Sequence, residues 1–294
     1  MLLSEFIRSS CRALQSLYPS EEAQSIVSLL LLKRFGIQSY AHILNPSETL
    51  SSQRLEVLQD DLSRLLHSEP LQYILGECEF CSRSFKVTNQ VLIPRPETEI
   101  LVCSAIELLR QKHIPSPKVL DLCTGSGCIA WSIALDCPGS RVCATDISPQ
   151  ALEIARSQFR ETSIPSSCQA PEFILADLLA DPAESLVQEA EKFDLIVSNP
   201  PYIMPCEKAQ MHSNVLDYEP ELALFAPESD PVAFYRAIDS WASVLLKKDG
   251  AAIVEINSLI PEATIGAFSH FRSSRLIEDL SARPRFILLE GLDS

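Results

Sequence analysis

The chain has 294 residues, with 24 lysines and arginines against 39 aspartates and glutamates, and a formal net charge of −15. Its 46% hydrophobic and 21% charged content is that of a globular protein and excludes a disordered or collagen-like chain. The acidic balance also argues against broad, nonspecific binding to nucleic acid or anionic membrane, because a polyanion is repelled on average.

Glu5 and Arg8 interrupt the first residues, so the start of the chain does not read as a secretory leader. The longest apolar run, Ile26–Leu32, is broken by Ser28 and falls far short of the ~20 residues a membrane span needs. Ten cysteines without an export signal therefore read as reduced thiols of a cytoplasmic protein. Cys78-Glu79-Phe80-Cys81 has CxxC spacing, but no second Cys or His pair follows at metal-binding spacing. Both are expected to be ordinary thiols, and no metal is expected.

The first 70 residues follow helical periodicity. A segment opens at Ser20-Glu21-Glu22 and stops near Gly36. Another is expected to start at Asn45-Pro46-Ser47-Glu48 and to present Leu55, Leu58, Leu62, Leu65 and Leu66 as one apolar face. Such a face must pack on neighbouring helices, so residues 1–70 read as a small helical bundle without chemistry of its own. Residues 71–93 change character. Tyr73–Gly76 and Phe85–Thr88 fit short strands, giving a hairpin linker. Pro94 and Pro96 hold the next loop extended, and Pro96 suits the first turn of a helix running to about Lys112.

From residue 94 to 294 a third region follows. Strand-like runs at Val119–Leu122, Arg141–Thr145, Glu172–Ala176, Phe193–Ser198 and Ala251–Ile256 alternate with helical stretches, which predicts a parallel sheet covered on both faces. Arg275–Leu280 and Arg285–Glu290 are too close for a helical crossover and should pair antiparallel at the sheet edge.

Two strand ends carry candidate chemistry. After Val119–Leu122 comes Cys123-Thr124-Gly125-Ser126-Gly127, a glycine-containing turn into a helix, where free N–H groups face a ligand. Asp146 ends the next strand and can accept both hydroxyl hydrogens of a ribose. Gly125-x-Gly127-x-x-Ala130 satisfies the dinucleotide fingerprint, yet Asp121-x-x-x-Gly125-x-Gly127 equally fits an S-adenosylmethionine loop. The loop alone leaves NAD and S-adenosylmethionine both open.

The second strand end, Phe193–Ser198, runs directly into Asn199-Pro200-Pro201-Tyr202. This turn suits a planar NH2, whose delocalised lone pair makes it a poor nucleophile. The Asn199 side-chain oxygen and the Pro200 carbonyl can each accept one N–H, the prolines offer no competing donor, and Tyr202 can lie against a flat group. Nothing in hydride transfer calls for such a turn, so a methyltransferase is the better reading.

Asn199-Pro200-Pro201-Tyr202 resembles the NPPY motif of methyltransferases that act on glutamine amides or on the amino groups of bases. Together with Pro70–Glu77, Phe85-Lys86-Val87, Leu92–Glu99 and Asp217–Leu224, the chain is similar to the peptide chain release factor glutamine methyltransferases (the PrmC/HemK family) from about residue 20 onward. The resemblance implies a helical N-terminal domain (1–70) for substrate recognition, a β-hairpin linker (71–93) and a seven-stranded, Rossmann-like methyltransferase domain (94–294). It implies S-adenosylmethionine as cofactor, held by Cys123, Thr124, Gly125, Ser126, Gly127, Asp146, Asp177, Leu178 and Asn199. The substrate would be the Gln of the Gly-Gly-Gln loop of class 1 release factors, bound by Asn199, Pro200, Pro201 and Tyr202, with Asn199, Pro200 and Tyr202 as catalytic residues. Cys123 stands where this family usually has Gly and where the related ribosomal-protein glutamine methyltransferases have Cys, and Leu178 stands where many relatives carry an aromatic residue. Alternatives are methylation of a ribosomal protein or of adenine in nucleic acid, an NAD-dependent oxidoreductase, and a catalytically silent binding protein. No membrane or direct nucleic-acid partner is expected.

Overall fold

The computed structural model describes residues 1–160, 163–188 and 191–293 and falls into two compact units. The first comprises Met1–Glu77 and His212–Tyr218. It holds α1 (Leu3–Leu14), α2 (Ser20–Phe35), α3 (Ala41–Leu44), α4 (Ser52–Leu66) and α5 (Leu71–Leu75). Leu3, Phe6, Val27, Leu30, Leu58, Leu65 and Ile74 form its core. Gly36 ends α2 at φ 68°, a left-handed cap that lacks the Cβ penalty.

Three sequence expectations need correction here. The helix foreseen from Asn45 begins at Ser52, because Thr49 is held extended by bridging to Leu2 and the Ser51 hydroxyl caps the Arg54 N–H. Leu66 is exposed, since it lies a third of a turn off the line of Leu58 and Leu65. Tyr73–Gly76 is not a strand but most of α5, which buries Leu71, Tyr73 and Ile74 and is stopped by left-handed Gly76. Four apolar residues are too few for periodicity to separate helix from strand. The Arg34 guanidinium joins this unit's helices, donating to both Asp61 oxygens at 2.8 Å and to the Ile74 carbonyl at 2.8 Å. Tyr218 donates its hydroxyl to the His67 carbonyl at 2.8 Å.

The second unit spans Cys78–Met211 and Glu219–Ser294. It opens with the hairpin of β1 (Glu77–Phe80) and β2 (Arg83–Lys86), followed by α6 (Thr98–Gln111), β3 (Lys118–Leu122), α7 (Cys128–Asp136), β4 (Arg141–Asp146), α8 (Pro149–Arg156), β5 (Glu172–Leu175), α9 (Glu184–Val187) and β6 (Phe193–Ser198). Pro96 sits in the turn just ahead of α6 rather than inside it, its carbonyl accepting the Glu99 N–H. After a 3₁₀ turn at Pro205–Gln210 and α10 (Ser213–Leu216), which belongs to the first unit, come α11 (Glu221–Leu224), α12 (Ala233–Leu245), β7 (Leu246–Glu255), α13 (Pro261–Ile265), β8 (Phe271–Glu278) and β9 (Pro284–Leu292).

The sheet has seven strands in the order β5-β4-β3-β6-β7-β9-β8. The first five are parallel, and β9 runs antiparallel to both β7 and β8. One face is covered by α6 and α7 together with Phe80 and Phe85 of the hairpin, the other by α12 through Ile238, Trp241 and Leu245. This is a Rossmann-like fold, as the family resemblance implied, and the alternating pattern correctly gave its parallel, doubly covered sheet. β8 starts four residues before the expected strand because Arg272, Ser273 and Ser274 lie exposed at the sheet edge and carry no apolar signal.

Strand order reverses between β3 and β6, and ligands of open α/β sheets bind outside the carboxyl ends of strands at such a switch point. The register is specific. Leu122 pairs with Thr145 on one side and Ser198 on the other, and Ser198 pairs with Val254. Cys123, Asp146, Asn199 and Glu255 therefore leave the sheet at one level.

Candidate active site

A cavity of about 410 Å³ opens at that level, within the size range of small-molecule sites. Cys123, Thr124, Gly125, Ser126, Asp146, Asp177, Leu178, Asn199 and Pro201 line it, so most of the expected site residues share one space. Three do not line it. Gly127 lies behind the loop, where an added Cβ would meet the Ala155 Cβ at 3.0 Å. Pro200 is buried in the turn. Tyr202 packs its ring against the apolar core and lines a second, smaller cavity with Glu207, Asn257 and Arg285.

The glycine loop is held by hydrogen bonds to the chain beneath it. The Thr124 N–H donates to the Thr145 carbonyl at 2.9 Å, and Gln158 donates to the Ser126 carbonyl at 2.8 Å. Cys123, Gly125 and Gly127 all take positive φ, at 61°, 55° and 80°. At Cys123 this left-handed backbone costs about 1–2 kcal/mol relative to a relaxed residue, the conformation a glycine would adopt freely. Burial pushes the Cys123 thiol well up, with Asp146, Asp121 and Asp177 adding to the effect, so it stays protonated.

Asp146 accepts the Gly125 N–H at 2.8 Å on one oxygen and the Ser148 N–H at 2.9 Å on the other. Each oxygen keeps a free lone pair, enough to take two further hydroxyl hydrogens. Burial raises its pKa above the usual carboxylate value, and these backbone donors pull it part of the way back. A Cβ built on Gly125 would meet no atom within 4 Å, so the loop backbone is open to a ligand. Asp177 turns back to accept the Leu179 N–H, leaving Leu178 as the apolar wall. A bidentate acceptor for a ribose, an apolar wall and a bare loop backbone fit a nucleoside-bearing cofactor.

Asp121, under the loop, is fully buried. Thr124 donates to its Oδ2 at 2.6 Å, while Oδ1 has no hydrogen-bond partner. Burial raises its pKa from 3.8 to about 7. The folded chain thus keeps a proton that the unfolded chain releases, and this group's contribution to stability falls as pH rises from about 4 to 7. Asp121→Asn, which mimics the protonated form, should raise Tm at pH ~8 and leave it little changed at pH ~4. An equal shift at both values would refute this assignment.

The remaining lining was not foreseen. Pro94 and Arg95 from the Leu92–Glu99 segment and Pro220, Leu222 and Ala223 from the Asp217–Leu224 segment close the cavity. The two segments are joined by buried Glu219, which accepts from Arg95 at 2.6 Å and from the Ile93 N–H at 3.3 Å. Thr98 also lines the cavity, and its hydroxyl reaches buried Glu255 at the end of β7. A carboxylate inside the apolar run Ala251–Ile256 was the one available signal for Glu255.

Comparison with known proteins agrees with this geometry. Residues 100–217 match the methyltransferase small domain, and residues 5–76 match the PrmC N-terminal domain. The chain is 36% identical to the release factor glutamine methyltransferase of Bacteroides thetaiotaomicron over 97% of its length and 98% of the relative's. It is also 36% identical to that of Flavobacterium psychrophilum, covering 98% of both. Among solved structures it is similar to the hMettl16 catalytic domain in complex with MAT2A 3′UTR hairpin 6, with a TM-score of 0.53 and 14% identity over 80% of this chain and 83% of that one. That likeness is one of fold alone.

Proposed function

Because the chain belongs to the release factor glutamine methyltransferases, we propose that it methylates the side-chain amide nitrogen (N5) of the Gln in the Gly-Gly-Gln loop of class 1 release factors. S-adenosylmethionine is its cofactor and, when bound, supplies an electrophilic methyl group on a positively charged sulfur. Cys123 to Ser126 would surround the methionine part, with Gly127 letting the loop pass close to α8 behind them, Asp146 would hold the ribose hydroxyls, and Asp177 with Leu178 the base. The observation that carries this reading is the pairing of Leu122 with Ser198, which supports a cofactor loop and an amide acceptor facing one cavity.

Asn199 Oδ1 and the Pro200 carbonyl would each accept one amide N–H of the substrate Gln. Two acceptors in the plane of the amide raise electron density on nitrogen and fix its direction of attack, and orientation of this kind can account for about 7–11 kcal/mol of a barrier. Once methylated, the nitrogen gives up its extra proton readily, so a strong general base is not needed. Cys123 and Tyr202 are unsuited to that role, since burial keeps both protonated at neutral pH, and Asp121 lies under the loop and does not line the cavity. Tyr202 would serve through its turn and its hydrogen bond to Glu255 rather than by stacking on the substrate.

In this reading residues 1–70 recognise the release factor, residues 71–93 link, and residues 94–294 carry the chemistry. Tyr40, Ile43 and Leu44 stand exposed around α3 and offer an apolar patch for the partner. Ile43→Asp should raise KM for the release factor and leave kcat unchanged, and an unaltered KM would remove this patch from the interface. Among the described residues no helix is long and apolar enough to cross a membrane. A cytoplasmic location and the absence of a nucleic-acid partner, consistent with the net charge of −15, complete the proposal.

Incubation with methyl-labelled S-adenosylmethionine and a release factor, ribosomal proteins or nucleic acid tests it. Label should enter the release factor and disappear when the glutamine of Gly-Gly-Gln is replaced. Label confined to ribosomal protein or to nucleic acid would overturn the substrate assignment.

A further inference from the structure

An asparagine amide is an acceptor at one end and a donor at the other, with nearly the same shape either way round. If Asn199 turned over, it would present NH2 to the substrate's N–H groups, and the clamp would become repulsive. Something must therefore choose the rotamer. In the structure Asn199 Nδ2 donates to Thr98 Oγ1 at 3.3 Å, and Thr98 Oγ1 donates its single proton to Glu255 Oε2 at 2.8 Å. Tyr202 donates its hydroxyl to the other Glu255 oxygen at 2.9 Å. A hydroxyl has one proton, so a Thr98 committed to the carboxylate can show Asn199 only lone pairs. Against lone pairs, only the NH2 end of Asn199 is tolerated.

The placement makes this selection strict. Thr98 is 2% exposed and Glu255 is 1% exposed, so water cannot take over either bond. Thr98 is the first residue of α6, and Glu255 stands one residue beyond Val254, the partner of Ser198, which brings it level with Asn199. A buried carboxylate here costs stability compared with an apolar residue of similar volume. Both of its oxygens are occupied by hydroxyls, and the Arg285 guanidinium adds a favourable charge.

We infer that Thr98 and Glu255 are positioning residues that hold the Asn199 carbonyl oxygen toward the cavity, acting through Asn199 rather than on the substrate. The inference rests on the function proposed above, in which Asn199 accepts the substrate amide.

The test compares Thr98→Val, which keeps shape and loses the oxygen, with Thr98→Ser, which restores it. Steady-state rates on the release factor, equilibrium binding of S-adenosylmethionine and Tm are measured for each, alone and in an Asn199→Ala background. Thr98→Val should lower kcat about tenfold, as expected for one lost hydrogen-bond constraint, with cofactor affinity within about twofold of wild type. Thr98→Ser should recover most of the rate. In the Asn199→Ala background Thr98→Val should cost less than about twofold, because residues acting through one group are not additive. Glu255→Gln provides a second arm if the valine variant is poorly folded. Its single oxygen cannot accept from both hydroxyls, so it too should lose kcat only when Asn199 is present. A Thr98→Val enzyme with wild-type kcat, or the same fold-loss in both backgrounds, overturns the inference while leaving the proposed function intact. An Asn199→Ala enzyme of undiminished rate overturns both.

Discussion

Asn199→Ala should lower kcat on the release factor by about 10²-fold while leaving affinity for S-adenosylmethionine within about twofold. The substitution removes one acceptor from a desolvated reacting group, which costs roughly 1–3 kcal/mol when its partner is left unpaired. The upper end applies because Asn199 is aligned in advance by Thr98, so the wild-type site does no reorganisation at the moment of reaction. Cofactor binding is spared because the glycine loop and Asp146 are held by their own hydrogen bonds, none of which involves Asn199. Rapid-quench single-turnover rates beside equilibrium cofactor binding check both halves. A normal single-turnover rate would remove Asn199 from the chemistry, and a loss of cofactor affinity as large as the loss of rate would leave it only the cofactor-holding role that the resemblance also implies.

Asp146→Ala should have the opposite signature, weakening S-adenosylmethionine binding by about 10²-fold and leaving kcat at saturating cofactor nearly unchanged. Besides the acceptors for the ribose, the variant loses the partner of two backbone donors, the N–H groups of Gly125 and Ser148. Leaving these part-buried donors unpaired costs up to about 1–3 kcal/mol each and loosens the loop on which the cofactor rests. Asp146→Asn should recover little. Both carboxylate oxygens accept from the backbone, so the NH2 of asparagine would face an N–H donor. Calorimetric titration with the cofactor measures this directly. Near wild-type affinity in Asp146→Asn would mean that neither the charge of Asp146 nor its second acceptor oxygen is needed to hold the cofactor.

Much of this architecture was legible because buried strands write long apolar runs. Val119–Leu122 and Phe193–Ser198 are fully buried, and their ends carried the glycine loop and the Asn-Pro-Pro-Tyr turn in plain view. What escaped reading depends on tertiary partners. The run from Tyr73 to Leu75 is as apolar as a strand, and only the core it enters decides that it is helical. The motif showed Tyr202 as a flat ring beside the substrate, yet its hydroxyl finds Glu255 53 residues away, which turns the ring into the protein. The bond between Thr98 and Glu255 spans 157 residues and has no local signature at all. At Cys123, the departure from the usual glycine was visible, but the left-handed backbone that gives it meaning was not.

The amide clamp is tested most directly by a structure of the enzyme with S-adenosylhomocysteine and a release factor bound together. The Gly-Gly-Gln amide nitrogen should lie within hydrogen-bond reach of both Asn199 Oδ1 and the Pro200 carbonyl oxygen, its free face directed at the sulfur. An amide held elsewhere, or an Asn199 with its NH2 turned to the substrate, would contradict the account.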